Sequence, residues 1–162
     1  MKDKVAVYPG SFDPITYGHL DILHRGLELF DRVIVAIANN IEKKALFTVD
    51  ERKELIRQSV NGGDNVVIDS FNGLLVQYVK DVGARFVIRG LRAMSDFEYE
   101  FQMASMNRNL NPDMDTLFMM TSKDYFFVSS RTIKEVASFS GSVEEFVPPA
   151  VAIKLKEKIR KR

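Results

Sequence analysis

Apolar positions along the chain follow two alternating patterns. Short apolar runs recur at Val5-Ala6-Val7-Tyr8, Val33 to Ala38, Val66-Val67-Ile68, Phe86-Val87-Ile88 and Thr116 to Met120. Continuous runs of this kind read as strands buried on both faces. Between the first two, Leu20, Ile22, Leu23, Leu27 and Phe30 form one helical face. Thr48-Val49-Asp50-Glu51 has the form of a capping box, Leu55, Ile56 and Val60 continue the helix it opens, and Asn61-Gly62-Gly63-Asp64 ends it. Leu74 to Val82 predicts a third helix closed by Gly83, Asp96 to Leu110 a fourth stopped by Asn111-Pro112, and Ser129 to Phe139 a fifth. Pro148-Pro149 precedes a basic tail, Val151 to Arg162, that predicts a last helix docked on the surface.

Strands alternating with helices imply parallel neighbours joined by crossovers. The expectation is one α/β domain over residues 1–162, a Rossmann-like doubly wound five-stranded parallel sheet with helices on both faces and the C-terminal helix of about 149–162 packed on it. Such sheets bind ligands beyond the carboxyl ends of their strands, so the loops after each strand are where chemistry belongs.

Composition narrows the function. Lys+Arg 23 against Asp+Glu 22 argues against a protein that coats nucleic acid. With Cys 0 and His 2 there is no thiol nucleophile, no disulfide framework and no basis for a multi-histidine metal site. No apolar stretch approaches the roughly 20 residues that span a bilayer, and Met1-Lys2-Asp3-Lys4 leads into the first strand without a signal-peptide pattern. A cytoplasmic protein without membrane or nucleic-acid partners is expected.

The loop from Pro9 to His19 holds two prolines and two glycines, so its shape is fixed. It contains neither a dinucleotide fingerprint nor a Walker loop. Thr16 is a natural N-cap, which places His19 in the first helical turn, where side chains and backbone N–H groups meet anions. The alternative is that Gly10 and the prolines only shape a turn. His24, inside the helix, reads as structural. Lys43-Lys44 reads either as solvated surface or as a phosphate clamp, and Phe71 to Leu75 either as an apolar substrate rim or as helix packing. Arg89-Gly90-Leu91-Arg92 ends the fourth strand at the binding edge, where forked donation to phosphate is favoured over a structural ion pair. Asp96 to Phe101 reads as a helix start with one carboxylate available to a ribose hydroxyl. Met103, Met106, Met114, Met119 and Met120 suggest adaptable packing or a subunit interface. Ser129 and Ser130 open the fifth helix, either as caps or as phosphate ligands.

Thr16-Tyr17-Gly18-His19 resembles the [HT]-x-G-H motif of the nucleotidyltransferase superfamily, and Ser129 to Lys134 resembles its second motif, [IV]-S-S-x-x-[IV]-[KR]. Tyr8 to Pro14, Arg89 to Arg92, Asp96 to Glu100 and Met106-Asn107 are similar, in order and spacing, to bacterial phosphopantetheine adenylyltransferases, from Val5 to about Pro149. The resemblance implies adenylyl transfer from ATP to 4'-phosphopantetheine, giving dephospho-coenzyme A and pyrophosphate, with Mg²⁺ carried mainly on the ATP phosphates. It implies that His19 stabilises the pentavalent transition state with Lys43, Arg92 and Ser130 beside it. Ser11, Lys43 and Arg89 would hold the phosphopantetheine phosphate, and Leu75 would line its arm. ATP would meet Gly10, Ser11, His19, Gly90, Leu91, Arg92 and Glu100, and the segment Tyr125, Phe126, Phe127, Val128, Ser129, Ser130 and Arg131. Phe126 and Arg131 depart from residues common in the family. Feedback by coenzyme A and a homohexamer built as a dimer of trimers are further implications. The competing readings are a sibling enzyme acting on nicotinamide mononucleotide or a polyol phosphate, and a non-catalytic ATP sensor.

In-line attack of one phosphate on another needs no protein nucleophile. It needs alignment of two anions and stabilisation of spreading charge, which cations and helix N-termini supply.

Overall fold

The computed structural model describes residues 4–39, 44–60 and 63–160. Its elements run β1 (Val5–Gly10), α1 (Tyr17–Leu29), β2 (Arg32–Ala38), α2 (Val49–Ser59), β3 (Val66–Phe71), α3 (Leu75–Asp81), β4 (Phe86–Leu91), α4 (Met94–Leu110), β5 (Asp115–Met120), α5 (Ser130–Ser138) and α6 (Pro149–Arg160). All neighbouring strands pair in parallel, in the order β3-β2-β1-β4-β5.

Alternation along each strand divides the interior into two cores. Ala6, Tyr8, Val33, Val35, Ile37 and Ile88 pack with Leu23 of α1, Ile56 of α2, Ile133 of α5 and Leu155 of α6. Val7, Ile34, Ala36 and Val87 face the other way, with Val76 and Val79 of α3. The doubly wound reading therefore holds. Helix α1 lies close on the sheet: a Cβ at Gly26 would stand 2.8 Å from Ile88 Cδ1.

The differences from the sequence reading lie at element ends and sheet edges. β1 continues through Pro9-Gly10, β3 through Ser70-Phe71 and β4 through Arg89 to Leu91, because the parallel register goes on pairing backbones after the apolar run stops. Helix α4 starts at Met94, two residues before Asp96, with Ala93 as its extended N-cap and Asp96 in its first turn. β1, β2 and β4 are buried on both faces, whereas the outer strands β3 and β5 are only partly buried. The methionines divide: Met114 and Met119 are buried, while Met103, Met106 and Met120 are exposed.

Candidate active site

The chain reverses direction across the sheet between β1 and β4, and the crevice opens there. These strands pair only at Ala6 with Phe86 and Val7 with Val87. Beyond that point the Arg89 side chain bridges the gap, donating from Nη1 to the Pro9 carbonyl at 2.8 Å. Its other face forms a forked pair with Glu100 of α4, with Nε 2.7 Å from Oε2 and Nη2 on Oε1. Arg89 thus forms the ion pair that the sequence reading ranks second to phosphate donation, and it also lines the cavity described below. Glu100 is correspondingly committed to Arg89.

His19 stands where the N-cap argument puts it. Thr16 and His19 form a reciprocal capping box, in which the Thr16 hydroxyl accepts from the His19 N–H and the Thr16 N–H donates to His19 Nδ1 at 3.1 Å. An accepting Nδ1 leaves the ring proton on Nε2. The ring is fixed from one side by Phe12, whose centroid lies 5.1 Å away in an edge-on contact. Phe12 is fully buried and holds a left-handed backbone, φ 46°. Burial, reinforced by the positive charges of Arg92 and Arg89, pulls the imidazole down to about 4. At neutral pH His19 is therefore an uncharged Nε2–H donor, suited to stabilising developing negative charge rather than to trading protons. His24 is exposed on α1 and does not line the cavity described below.

The second motif comes to the same edge. Gly18 meets the loop after β5 closely, since a Cβ there would lie 3.4 Å from Tyr125 Cβ. Arg92 donates to the Val128 carbonyl at 3.4 Å and to Asp96 at 3.2 Å. The Ser130 hydroxyl donates to the Pro14 carbonyl at 2.7 Å, joining α5 to the first loop. Ser129 caps α5, accepting from the Thr132 N–H at 3.0 Å. Phe126 and Phe127 are exposed, Leu91 is buried, and Gly90 lets β4 approach Ile22 of α1.

An open cavity of about 1060 Å³ extends from this edge. Gly10, Ser11, Leu75, Arg89, Glu100, Ser130 and Arg131 line it, as do Phe71 and Leu74 of the apolar rim. His19, Gly90, Leu91, Arg92 and the segment Tyr125 to Ser129 are not among its lining residues and form the adjoining part of the edge. Lys43 lies outside the described residues; Lys44 lines the cavity. Five cations, Lys44, Arg52, Arg89, Arg131 and Lys134, face only Asp13 and Glu100, so the cavity favours anions.

Two of these groups, Asp13 and Arg52, have no role of their own in the sequence reading. Asp13 is buried and accepts from the Leu46 and Phe47 N–H groups, both at 2.9 Å, and from Lys134 Nζ at 2.8 Å. Burial opposes its charge, but the Lys134 ammonium and the two N–H groups hold its carboxyl below the usual range. Arg52 donates to the Ser11 carbonyl at 2.8 Å. The spacing of Arg52 with Leu55 and Ile56, all buried on one helical face, is a signal that could have found it. Among the described residues no group of three His, Asp or Glu stands where it could hold a metal ion. The two cavity carboxylates are taken by Lys134 and Arg89.

A parallel sheet with this switch point, an N-capped x-G-H helix start and a hydroxyl-led second helix defines a nucleotidyltransferase. The cytidylyltransferase-like family model matches residues 7–136. The chain is 59% identical over 151 residues to the phosphopantetheine adenylyltransferase of Geotalea daltonii, covering 93% of this chain and 94% of that one. It is 56% identical to the protein of the same name from Anaeromyxobacter dehalogenans, covering 97% of this chain and 96% of that one. The chain belongs to the phosphopantetheine adenylyltransferase family. Among solved structures, a bifunctional NMN adenylyltransferase/ADP ribose pyrophosphatase from Francisella tularensis superposes with TM-score 0.70 at 16% identity, covering 98% of this chain and 51% of that one. A putative nicotinate-nucleotide adenylyltransferase from Vibrio parahaemolyticus gives TM-score 0.64 at 16% identity, covering 95% of this chain and 99% of that one. These two likenesses show the fold.

Proposed function

We propose that this chain transfers the adenylyl group of ATP to 4'-phosphopantetheine, giving dephospho-coenzyme A and pyrophosphate, the penultimate step of coenzyme A synthesis. A phosphate oxygen of 4'-phosphopantetheine attacks the α-phosphorus in line. As that P–O bond forms, the bond to the bridging oxygen breaks, and pyrophosphate leaves with the electron pair. The His19 Nε2–H donates to the α-phosphoryl oxygens as their charge grows. Arg92 and Ser130 flank the nucleotide, with Gly10, Gly90, Leu91 and the segment Tyr125 to Arg131 around it. Ser11, Lys43 and Arg89 hold the acceptor phosphate, and Leu75 lines the pantetheine arm. Mg²⁺ arrives as part of the nucleotide substrate, on its phosphates and water, because the cavity carboxylates are already paired with cations.

The observation that carries this reading is the cavity itself, which joins five cations to an apolar rim of Phe71, Leu74, Leu75 and Met103. That pairing suits a substrate with a phosphate on an uncharged arm. The relatives' shared name supports the same substrate pair. Mass spectrometry of a reaction with ATP, Mg²⁺ and 4'-phosphopantetheine should show dephospho-coenzyme A; its absence would reject the reading. Coenzyme A, which carries both pantetheine and adenylate groups, is expected to compete with the substrates.

A homohexamer, a dimer of trimers, belongs to the same proposal. Helix α4 exposes Met94, Tyr99, Phe101, Met103, Met106 and Leu110, more apolar surface than a free helix favours. A solution mass six times that of the chain is expected, and a monomer would contradict it. A cytoplasmic site of action fits the substrates, and no helix among the described residues is long and apolar enough to cross a membrane.

A further inference from the structure

We propose that Asp13 is a positioning residue that fastens the segment carrying Lys44, together with helix α5, to the substrate loop, and so governs how tightly the acceptor phosphate is held. The inference rests on the adenylyl-transfer reading above. Asp13 is only 4% exposed, so its carboxylate faces protein on nearly every side. Its donors come from two distant parts of the chain. Oδ1 accepts from the Phe47 N–H, while Oδ2 accepts from both the Leu46 N–H and Lys134 Nζ. Leu46 is two residues after Lys44, a cavity cation, and Lys134 is four residues after Ser130 on α5.

The flanking loop residues are tied in the same sense. Arg52 of α2 holds the Ser11 carbonyl and Ser130 of α5 holds the Pro14 carbonyl. The four-residue stretch Ser11 to Pro14 is therefore bound to α2, to α5 and to the segment before α2. Within it, Asp13 alone contributes a charged side chain. Charge-assisted bonds to a buried carboxylate are the strongest available to such a loop. Asparagine keeps a single acceptor oxygen, so its NH2 group must face at least one of the two backbone N–H donors, and the charged bond to Lys134 is lost at the same time. Lys134, freed from its partner, would then turn an unpaired cation toward the cavity and change its electrostatics without restoring the register of Lys44. Because the held phosphate is also the attacking group, a small displacement of the residues that hold it weakens binding and misaligns the attack together.

Asp13→Asn in the full chain tests this, with steady-state kinetics and amide hydrogen exchange on the same preparation. KM for 4'-phosphopantetheine should rise about tenfold or more and kcat should fall with it, while KM for ATP stays within about threefold. The Leu46 and Phe47 amides should exchange at least about tenfold faster. In a Lys44→Ala background the Asp13→Asn change should add less than about threefold to that KM, because the two act through one segment. Equal rises in both KM values, unchanged exchange at Leu46 and Phe47, or full additivity with Lys44→Ala would each overturn the proposal. If Asp13→Asn fails to fold, Lys134→Met keeps both backbone bonds and should raise the same KM by a smaller factor; no change would count against the proposal. A parent enzyme inactive with 4'-phosphopantetheine would reject the activity reading instead. Calorimetric binding of 4'-phosphopantetheine and the exchange rates would still decide the role of Asp13.

Discussion

The backbone N–H of Thr16 donates to Nδ1 of His19 at 3.1 Å, and this bond leaves Nε2 as the ring nitrogen that carries the proton. With Nδ1 occupied as an acceptor, only Nε2–H can donate outward. A glutamine amide can approximate that donor, whereas an asparagine amide approximates Nδ1. His19→Gln should therefore retain more kcat than His19→Asn, and His19→Ala should lower kcat by about 10²–10³-fold with little change in ATP affinity. Steady-state kinetics with calorimetric ATP binding checks this order. Equal losses in kcat and ATP affinity would contradict it.

Titration of His19 gives a second expectation. The imidazole binds its proton near the ordinary 6.5 when unfolded and near 4 when folded. Between those values the unfolded chain holds more protons, so stability falls as pH drops from about 6.5 to about 4 and is flat with respect to this group above that window. In a His24→Gln variant His19 is the single histidine, and its NMR chemical shift should have a midpoint near 4. Thermal melts of His19→Gln should have a smaller slope than the parent in the upper part of the window, where the carboxylates are ionised in both states.

The Arg89 and Glu100 pair predicts non-additivity. Arg89→Ala leaves the Glu100 carboxylate, 14% exposed, unpaired where an anion must bind. It should weaken 4'-phosphopantetheine binding by about tenfold or more. Glu100→Gln should weaken it less, and the double variant should fall well short of the product of the two effects. A calorimetric double-mutant cycle measures this directly.

Packing of α1 on the sheet supplies a test away from the chemistry. A Cβ at Gly26 would lie 2.8 Å from Cδ1 of the buried Ile88, so Gly26→Ala should destabilise by about 0.5–2 kcal/mol, overpacking outweighing the roughly 0.5–1 kcal/mol that Ala gains over Gly within a helix. Ile88→Val in the same chain should recover part of that loss in urea unfolding, because it removes the Cδ1 methyl.

Much of this arrangement is legible in the chain because its signals are local. The buried strands β1, β2 and β4 follow from apolar runs, and the Thr16 and Thr48 caps follow from residues three positions apart. Strand ends are less legible, since β1 and β4 continue through Pro9-Gly10 and Arg89-Gly90 on backbone register alone. Long-range partners have no local signature. Asp13 meets Leu46 across 33 residues and Lys134 across 121, so its role emerges only when the loop is closed. The place of Arg89 at the strand-end edge was legible but its pairing with Glu100 was not, because charge pairing across β4 and α4 depends on how that helix lies on the sheet.

The central claim is adenylyl transfer to 4'-phosphopantetheine through a site that holds two anions in line. The most direct measurement is pyrophosphate release from ATP and Mg²⁺ with each acceptor supplied in turn. Release that requires 4'-phosphopantetheine, and that stays at background with nicotinamide mononucleotide or a polyol phosphate, is the expected result. Turnover with one of those other acceptors, or tight ATP binding with no release under any acceptor, would contradict the account.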